Sequence, residues 1–118
     1  MLKNKTVLIT GSSRGIGAAT ARLARHYGAN VILHGKTESE QLTQLARDLC
    51  SQYIFCDVVD WKDDERKVSG LGTIDILVNN AGINPSKTFM ELSEEEFRKI
   101  YEVNVFGIAN FTRLVIPG

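Results

Sequence analysis

The chain alternates short apolar runs with longer segments in which apolar residues recur every three or four positions. Four runs, at 7–9, 31–34, 53–56 and 74–78, are short and apolar enough to predict buried strands. The segments between them predict a helix around 18–24, a second that begins at 37–40, and a short third at 60–68. Strands joined by helices of this length are parallel, so the pattern predicts an α/β fold.

A long helix is predicted from about Glu94 to the end of the chain, opened by a capping box at Ser93 and Glu96. Its first turns are charged, whereas from Val103 onward apolar side chains occupy nearly every face. A helix of that kind must be covered on more than one side, so we expect it to pack against a second chain. Asn104 interrupts the apolar segment, and a buried Asn is either a structural hydrogen-bonding residue or part of a site.

Composition narrows the class of protein. The 118 residues suffice for one domain, 1–118, in which 14 basic residues balance 14 acidic ones. A net charge of zero excludes a general attraction to nucleic acid or to anionic membranes. No apolar run reaches membrane-spanning length, and the first residues lack the apolar core of a signal peptide. Cys50 and Cys56 form no metal-type pair, so the sequence predicts a cytoplasmic protein with reduced thiols and no metal site.

A glycine-rich stretch with the spacing G-x-x-x-G-x-G lies between the first strand and the first helix. A tight turn here leaves the first N–H groups of the helix without internal partners, which suits a phosphate or pyrophosphate. Gly11 permits the turn, Gly15 lets a ligand approach the backbone, and Gly17 lets helix and strand pack closely. A plain turn would also explain the glycines, but the position between strand and helix favours nucleotide binding. The candidate binding residues are Gly11, Ser12, Ser13, Arg14, Gly15, Ile16 and Gly17.

The end of the second strand indicates which nucleotide is bound. In dinucleotide-binding βαβ units an acidic residue at this position favours NAD, whereas a basic residue accommodates a 2′-phosphate. Gly35 stands where the acid would be, and Lys36 follows it. Lys36 and Arg14 would place two cations near one phosphate, which favours NADP(H). The alternative is that Lys36 is a solvated loop residue.

Two further strand ends carry candidate contacts, because ligands of open parallel sheets bind at the carboxyl ends of the strands. Asp57 follows the third strand and could accept a hydrogen bond from an adenine amino group, although a lone Asp there is also an ordinary cap. Asn79, Asn80, Ala81 and Gly82 follow the fourth strand. Two amides and two small residues suit a backbone that passes against a ligand, and a turn alone would explain them as well.

Taken in order, these motifs resemble the short-chain dehydrogenase/reductase family, most of all reductases of the 3-oxoacyl-acyl-carrier-protein type. The matching pieces are Thr10-Gly11-x-x-x-Gly15-x-Gly17, Asp57-Val58, Asn79-Asn80-Ala81-Gly82 and Asn104. The resemblance implies a Rossmann-like, doubly wound parallel sheet, incomplete here, with strand order 3-2-1-4. It also implies an NADP(H)-dependent oxidoreductase with a small-molecule carbonyl or 3-oxoacyl substrate, and a homodimer or tetramer built through the C-terminal helix.

The resemblance also assigns roles to individual residues. The glycine-rich turn would hold the pyrophosphate and ribose, while Arg14 and Lys36 would contact the 2′-phosphate. Asp57 and Val58 match the adenine contacts. Asn80, Ala81 and Gly82 match the segment along the ribose. Asn104 matches the catalytic Asn that holds an ordered water in a proton relay.

The chain departs from the family pattern in its catalytic residues. The family uses a Ser and a Tyr-x-x-x-Lys pair that follow the long helix, whereas Tyr27, Tyr53 and Tyr101 have no Lys four positions later. We therefore expect the chain to be the N-terminal half of such an enzyme, truncated in the long helix, and to be inactive as a reductase by itself. The alternative is a non-catalytic nucleotide-binding or interaction module derived from the family.

Overall fold

The computed structural model describes residues 1–116, which contain one four-stranded parallel sheet. The strands are β1 (Thr6–Ile9), β2 (Asn30–Gly35), β3 (Gln52–Phe55) and β4 (Ile76–Val78). They lie in the order β3-β2-β1-β4, and Leu8 of β1 pairs with Ile32 of β2 and Leu77 of β4. The α/β class and the predicted strand order 3-2-1-4 are confirmed.

Strand β4 is shorter than the predicted run at 74–78, because Asp75 pairs with β1 partly through its side chain. The Asp75 carboxylate accepts a hydrogen bond from the Thr6 N–H at 2.8 Å, and the Asp75 N–H donates to the Thr6 carbonyl at 3.0 Å. A side-chain oxygen therefore stands in for a backbone acceptor where the strand pair begins.

Five α-helices follow the strands within residues 1–116: α1 (Gly15–His26), α2 (Glu40–Leu49), α3 (Trp61–Ser69), α4 (Glu94–Tyr101) and α5 (Gly107–Val115). Ser39 and Asp60 cap the starts of α2 and α3 by accepting hydrogen bonds from backbone N–H groups of the first turn. The capping box predicted at Ser93 and Glu96 is present at the start of α4. Local hydrogen bonds therefore fix three of the five helix starts.

The helices cover both faces of the sheet. Side chains alternate between the two faces along a strand, so Val7 and Ile9 pack with α1 and α2, while Leu8 packs with α3 and α5. The first core contains Val7, Ile9, Ala21, Ala24, Ala29, Val31, Leu33, Leu42, Leu45 and Ala46. The second contains Leu8, Ile32, Ile54, Cys56, Val58, Val68, Val103 and Phe111. This doubly wound packing leaves the carboxyl ends of the strands as the edge where a ligand can bind.

The long helix predicted from Glu94 is continuous but not uniform. Between α4 and α5 the segment Glu102–Phe106 is a π-helix, in which the Gly107 N–H bonds to the Glu102 carbonyl five residues back. Gly107 packs so closely on Val58 that an added Cβ would lie 2.8 Å from a Val58 methyl carbon. The sequence predicts one regular helix, whereas the structure has a π-helical segment here. Helical periodicity does not report the close contact between Gly107 and Val58. Its predicted end at 117–118 lies outside the described residues.

Exposed apolar side chains lie along the C-terminal part of this helix. The large ones are Tyr101, Val105, Phe106, Ile108 and Ile116. The expectation that this surface packs against a second copy stays a prediction. Within residues 1–116, none of the helices combines the length and the apolar character that spanning a bilayer requires.

A buried polar contact joins α3 to α5. Asn110 Nδ2 donates to Asp64 Oδ2 at 2.9 Å, and both side chains are fully buried. Asp64 Oδ1 has no hydrogen-bond partner among the described residues. Burial raises the pKa of the Asp64 carboxyl to about 6, against the Cys56 and Asn110 side chains, which both lower it. The contact therefore connects two helices while it holds a carboxylate away from water.

Candidate functional site

The carboxyl ends of the strands open into a cavity of about 840 Å³. Five segments line it: the glycine-rich turn after β1, the end of β2, the residues after β3, the residues after β4, and one side of α4 with the start of the π-helix. A cavity of this size can hold an extended molecule as large as a dinucleotide.

The glycine-rich turn needs glycine for two physical reasons. Gly11 and Gly15 have φ values of +62° and +63°, in the left-handed region that other residues rarely adopt. At Gly17 an added Cβ would lie 2.5 Å from the Gly11 carbonyl oxygen and 2.6 Å from Asn80 Nδ2. Arg14 occupies the N-cap of α1, and within the described chain its side chain makes no capping hydrogen bond. The first N–H groups of α1 are therefore left for an anion.

The segment after β4 holds the turn in place. Thr10 Oγ1 accepts hydrogen bonds from the N–H groups of Asn80 and Ala81, each at 3.0 Å. Asn80 Nδ2 donates to the Gly11 carbonyl at 2.9 Å. The ends of β1 and β4 are thus connected by side chains as well as by the sheet, and the turn is built before any ligand is present.

His34, near the end of β2, is buried against the other side of the turn. Its Nδ1 accepts a hydrogen bond from the Gly11 N–H at 3.0 Å, and its Nε2 lies 2.8 Å from the Cys56 carbonyl oxygen. The carbonyl is an acceptor only, so Nε2 carries the proton and the ring is neutral. Burial lowers the pKa of His34 below its ordinary value, which favours the same neutral form.

A cation and a carboxylate face each other at the ends of β2 and β3. Lys36 Nζ lies 3.7 Å from Asp57 Oδ2, and Asp57 Oδ1 accepts a hydrogen bond from the Val59 N–H at 3.2 Å. The Lys36 side chain is 65% exposed, so this ion pair is weak and the ammonium remains free to meet an anion. Arg14 borders the same cavity from the glycine-rich turn. The structure therefore brings both predicted cations to one cavity.

Asn104 lies in the π-helical segment and holds the chain after β4. Its Oδ1 accepts a hydrogen bond from the Ile83 N–H at 2.8 Å, and its Nδ2 donates to the Ile83 carbonyl at 2.9 Å. An added Cβ at Gly82 would lie 3.2 Å from the same Oδ1. Both polar atoms of the amide thus have backbone partners, and the catalytic role of Asn104 stays a prediction.

The predicted binding residues divide into those that border the cavity and those that lie behind or beside it. Ser12 and Gly17 are buried behind the turn, Ile16 is exposed, and Asn104 lies next to Gly82 outside the cavity wall. Contact with a ligand stays a prediction for all of them. The predicted residues in the wall are Gly11, Ser13, Arg14, Gly15, Lys36, Asp57, Val58, Asn80, Ala81 and Gly82.

Sequence reasoning missed two groups of lining residues. The apolar pattern predicts His34 only as part of a strand, although a histidine inside such a run is a signal that its ring needs buried partners. The sequence also predicts the charged first turns of α4, but helical periodicity does not show which part of the fold the polar face of a helix lies against. Four of these residues line the cavity, together with Glu102 of the π-helix: Glu94, Glu95, Arg98 and Lys99.

Comparison with known proteins gives a consistent result. The family model described as short chain dehydrogenase matches residues 5–118. L-xylulose reductase of Homo sapiens is 32% identical over 118 residues, covering 99% of this chain and 48% of that protein. The 3-oxoacyl-acyl-carrier-protein reductase FabG of Chlamydia muridarum is 37% identical over 126 residues, covering 98% and 50%. The chain thus spans about half the length of the curated relatives it matches.

Solved structures share the fold over nearly the whole chain. A gluconate 5-dehydrogenase from Burkholderia cenocepacia J2315, crystallised in complex with NADP and tartrate, superposes with a TM-score of 0.88 at 30% sequence identity. The match covers 97% of this chain and 48% of that one. The likeness therefore extends over nearly the whole of this chain but reaches only about half of the neighbour.

Proposed function

The chain belongs to the short-chain dehydrogenase family, and from that premise we propose that it binds NADP(H) in the cavity at the carboxyl ends of its strands. The named relatives include reductases and a dehydrogenase, and one neighbour was crystallised with NADP. We propose that the whole protein is an NADP(H)-dependent oxidoreductase of the carbonyl or 3-oxoacyl reductase type.

The glycine-rich turn is the observation that carries the proposal, because its shape fits a pyrophosphate. Nothing lies within 4 Å of a Cβ built at Gly15, so a ligand can approach the backbone there. The same Cβ at Gly11 would come within 2.8 Å of the Ala81 Cα, which shows how closely the turn and the segment after β4 pack. A dinucleotide in this cavity would lay its pyrophosphate on the N-terminus of α1.

The two cations support a preference for the phosphorylated cofactor. In the proposed pose the adenosine half lies between the turn and the ends of β2 and β3, so its 2′-phosphate meets Lys36 and Arg14. Lys36 Nζ lies at this end of the cavity, 3.7 Å from Asp57 Oδ2. A charge-assisted contact with a phosphate contributes about 1.5–3 kcal/mol.

We expect the protein to bind NADP+ more than about tenfold tighter than NAD+, since one such contact already gives that ratio. The double variant Lys36→Ala with Arg14→Ala is expected to bind both cofactors with similar affinity, because it lacks the cations that distinguish them. Isothermal titration calorimetry of the protein and the variant with each cofactor measures the ratio directly.

Lys62→Ala is the matched control, since Lys62 is an exposed lysine on α3 that does not line the cavity. It is expected to keep the wild-type ratio. Equal or tighter binding of NAD+ by the wild type would contradict the preference, and so would a double variant that still discriminates.

The residues of this chain would supply the cofactor side of the reaction. The nicotinamide, when bound, would transfer a hydride. The turn and strand ends would hold and orient it, and Asn104 would position a water for proton transfer. None of the three tyrosines among the 118 residues has a lysine four positions later, so the family's Tyr–Lys pair is not among them. We propose a small-molecule carbonyl compound as the substrate of the whole protein.

The second candidate is a non-catalytic nucleotide-binding or interaction module of the same family. Both candidates need the cofactor cavity, and they differ in whether a tyrosine completes it. The exposed apolar side chains between Tyr101 and Ile116 support a homodimer or tetramer built through the long helix, which is also proposed. A cytoplasmic location stays a prediction.

A further inference from the structure

His34 is buried behind the glycine-rich turn, and its contacts extend beyond that turn. Its side chain is 2% exposed and touches three parts of the fold: the turn at Gly11, the end of β3 at Cys56, and the ring of Phe111 on α5 at 5.4 Å between centroids. Its backbone is engaged too, because the His34 N–H donates to Ser12 Oγ and the His34 carbonyl accepts from the Ser12 N–H.

We propose that His34 is a positioning residue for the glycine-rich turn, and that protonation of its ring releases the turn and weakens cofactor binding. The inference rests on the proposed function, since it concerns the affinity of that same cavity. Its basis is geometric: one ring nitrogen accepts the Gly11 N–H while the other donates to the Cys56 carbonyl.

Only the neutral ring satisfies both contacts. A proton on Nδ1 would turn that nitrogen into a donor 3.0 Å from the Gly11 N–H, so two donors would face each other inside the protein. Gly11 would then lose the hydrogen bond that fixes its N–H, while its carbonyl remains tied to Asn80. The turn would shift, and with it the N–H groups at the start of α1.

The charged groups around the ring act in opposite directions. Asp57, after β3, favours the protonated ring, and Lys67 of α3 opposes it. Phe111 contributes no charge, and the turn presents backbone atoms of Gly11 to the ring. Burial is the largest influence and lowers the pKa of His34 below 6.5, so the ring is neutral at pH 7 and takes up its proton only at more acidic pH.

Nuclear magnetic resonance of the ligand-free protein tests the turn directly. The chain has two histidines, so the exposed His26 serves as an internal reference. We expect ¹⁵N shifts that show His34 protonated at Nε2 at pH 8. As the pH falls below 6.5, the Gly11 amide resonance is expected to move with the titration of the His34 ring. A Gly11 amide that ignores this titration, or a His34 ring protonated at Nδ1 at pH 8, would overturn the inference.

The affinity for NADP+ measured between pH 8 and pH 5 tests the consequence. His34→Asn keeps a side-chain acceptor near Gly11 but cannot titrate, and His26→Asn is the matched control. The cofactor phosphate also titrates near pH 6, so the comparison is made between proteins at each pH. Between pH 8 and pH 5, we expect the affinity of the wild type and of His26→Asn for NADP+ to fall about tenfold more than that of His34→Asn. A tenfold change in affinity corresponds to the loss of about one hydrogen bond.

Parallel pH profiles for wild type and His34→Asn would overturn the inference. Absence of NADP+ binding at every pH would instead refute the proposed function, and the Gly11 amide in the ligand-free protein would still decide whether His34 controls the turn. The two failures are therefore distinguishable.

Discussion

Gly17→Ala is expected to weaken NADP+ binding at least about 100-fold, which corresponds to about 2.7 kcal/mol. The added methyl group would lie 2.5 Å from the Gly11 carbonyl oxygen, 2.6 Å from Asn80 Nδ2 and 2.9 Å from the Ser12 Cα. These atoms belong to the backbone of the turn and to the side chain that holds it, so they cannot move aside without opening the turn. Calorimetric titration with NADP+ measures the loss, and circular dichroism checks that the variant is folded.

Gly70→Ala is the matched control, because its added methyl group would meet only the Lys67 carbonyl oxygen at 3.8 Å. Gly70 also has an ordinary helical backbone conformation, at the C-cap of α3. This variant is expected to bind NADP+ like the wild type. A folded Gly17→Ala variant with an affinity within threefold of the wild type would show that the shape of the turn does not govern binding.

Asp64→Asn is expected to raise the free energy of unfolding at pH 8 by about 1–3 kcal/mol. A carboxyl whose pKa is raised from 3.8 to about 6 binds its proton more readily in the folded state than in the unfolded state. Above pH 6 the folded protein therefore holds a buried charge that the unfolded chain exposes to water, which destabilises the fold. The asparagine amide keeps an acceptor for Asn110 without that charge.

Urea unfolding at several pH values measures this effect. The advantage of Asp64→Asn over the wild type is expected to be full above pH 6 and to shrink as the pH falls toward 4, because the wild-type carboxyl is then neutralised. Glu65→Gln, which removes an exposed charge from the same helix, is expected to change little at any pH. An Asp64→Asn variant that is less stable than the wild type at pH 8 would contradict the account.

The sheet was predictable because its signals are local. Strands β1, β2 and β3 are apolar runs bounded by turns, and each strand is followed by a helix, so the parallel arrangement follows from chain geometry. Strand β4 was overestimated at its first residues, since the pairing of Asp75 with Thr6 uses a side chain that no hydrophobic pattern reports.

The residues of the cavity wall were predictable where they lie at strand ends. They were not predictable where their position depends on contacts between residues far apart in the sequence. Lys36 and Asp57 were identified because they follow β2 and β3. His34 was missed because its partners, Gly11 and Cys56, are 23 and 22 residues away in the chain. The backbone partner of Asn104, Ile83, is 21 residues away, so the sequence could show only that its amide needed a partner.

A titration of the ¹⁵N-labelled protein with NADP+, followed in amide correlation spectra, tests the central claim most directly. The account predicts that the largest shifts fall on Gly15 and its neighbours in the turn, on Lys36, on Asp57 and Val58, and on Ala81 and Gly82. Amides at the amino ends of the strands, at Thr6, Asn30 and Gln52, lie at the opposite edge of the sheet from the cavity and are expected to stay in place. Saturating NADP+ that leaves the amides of the glycine-rich turn unmoved, or shifts concentrated on another surface, would contradict the account.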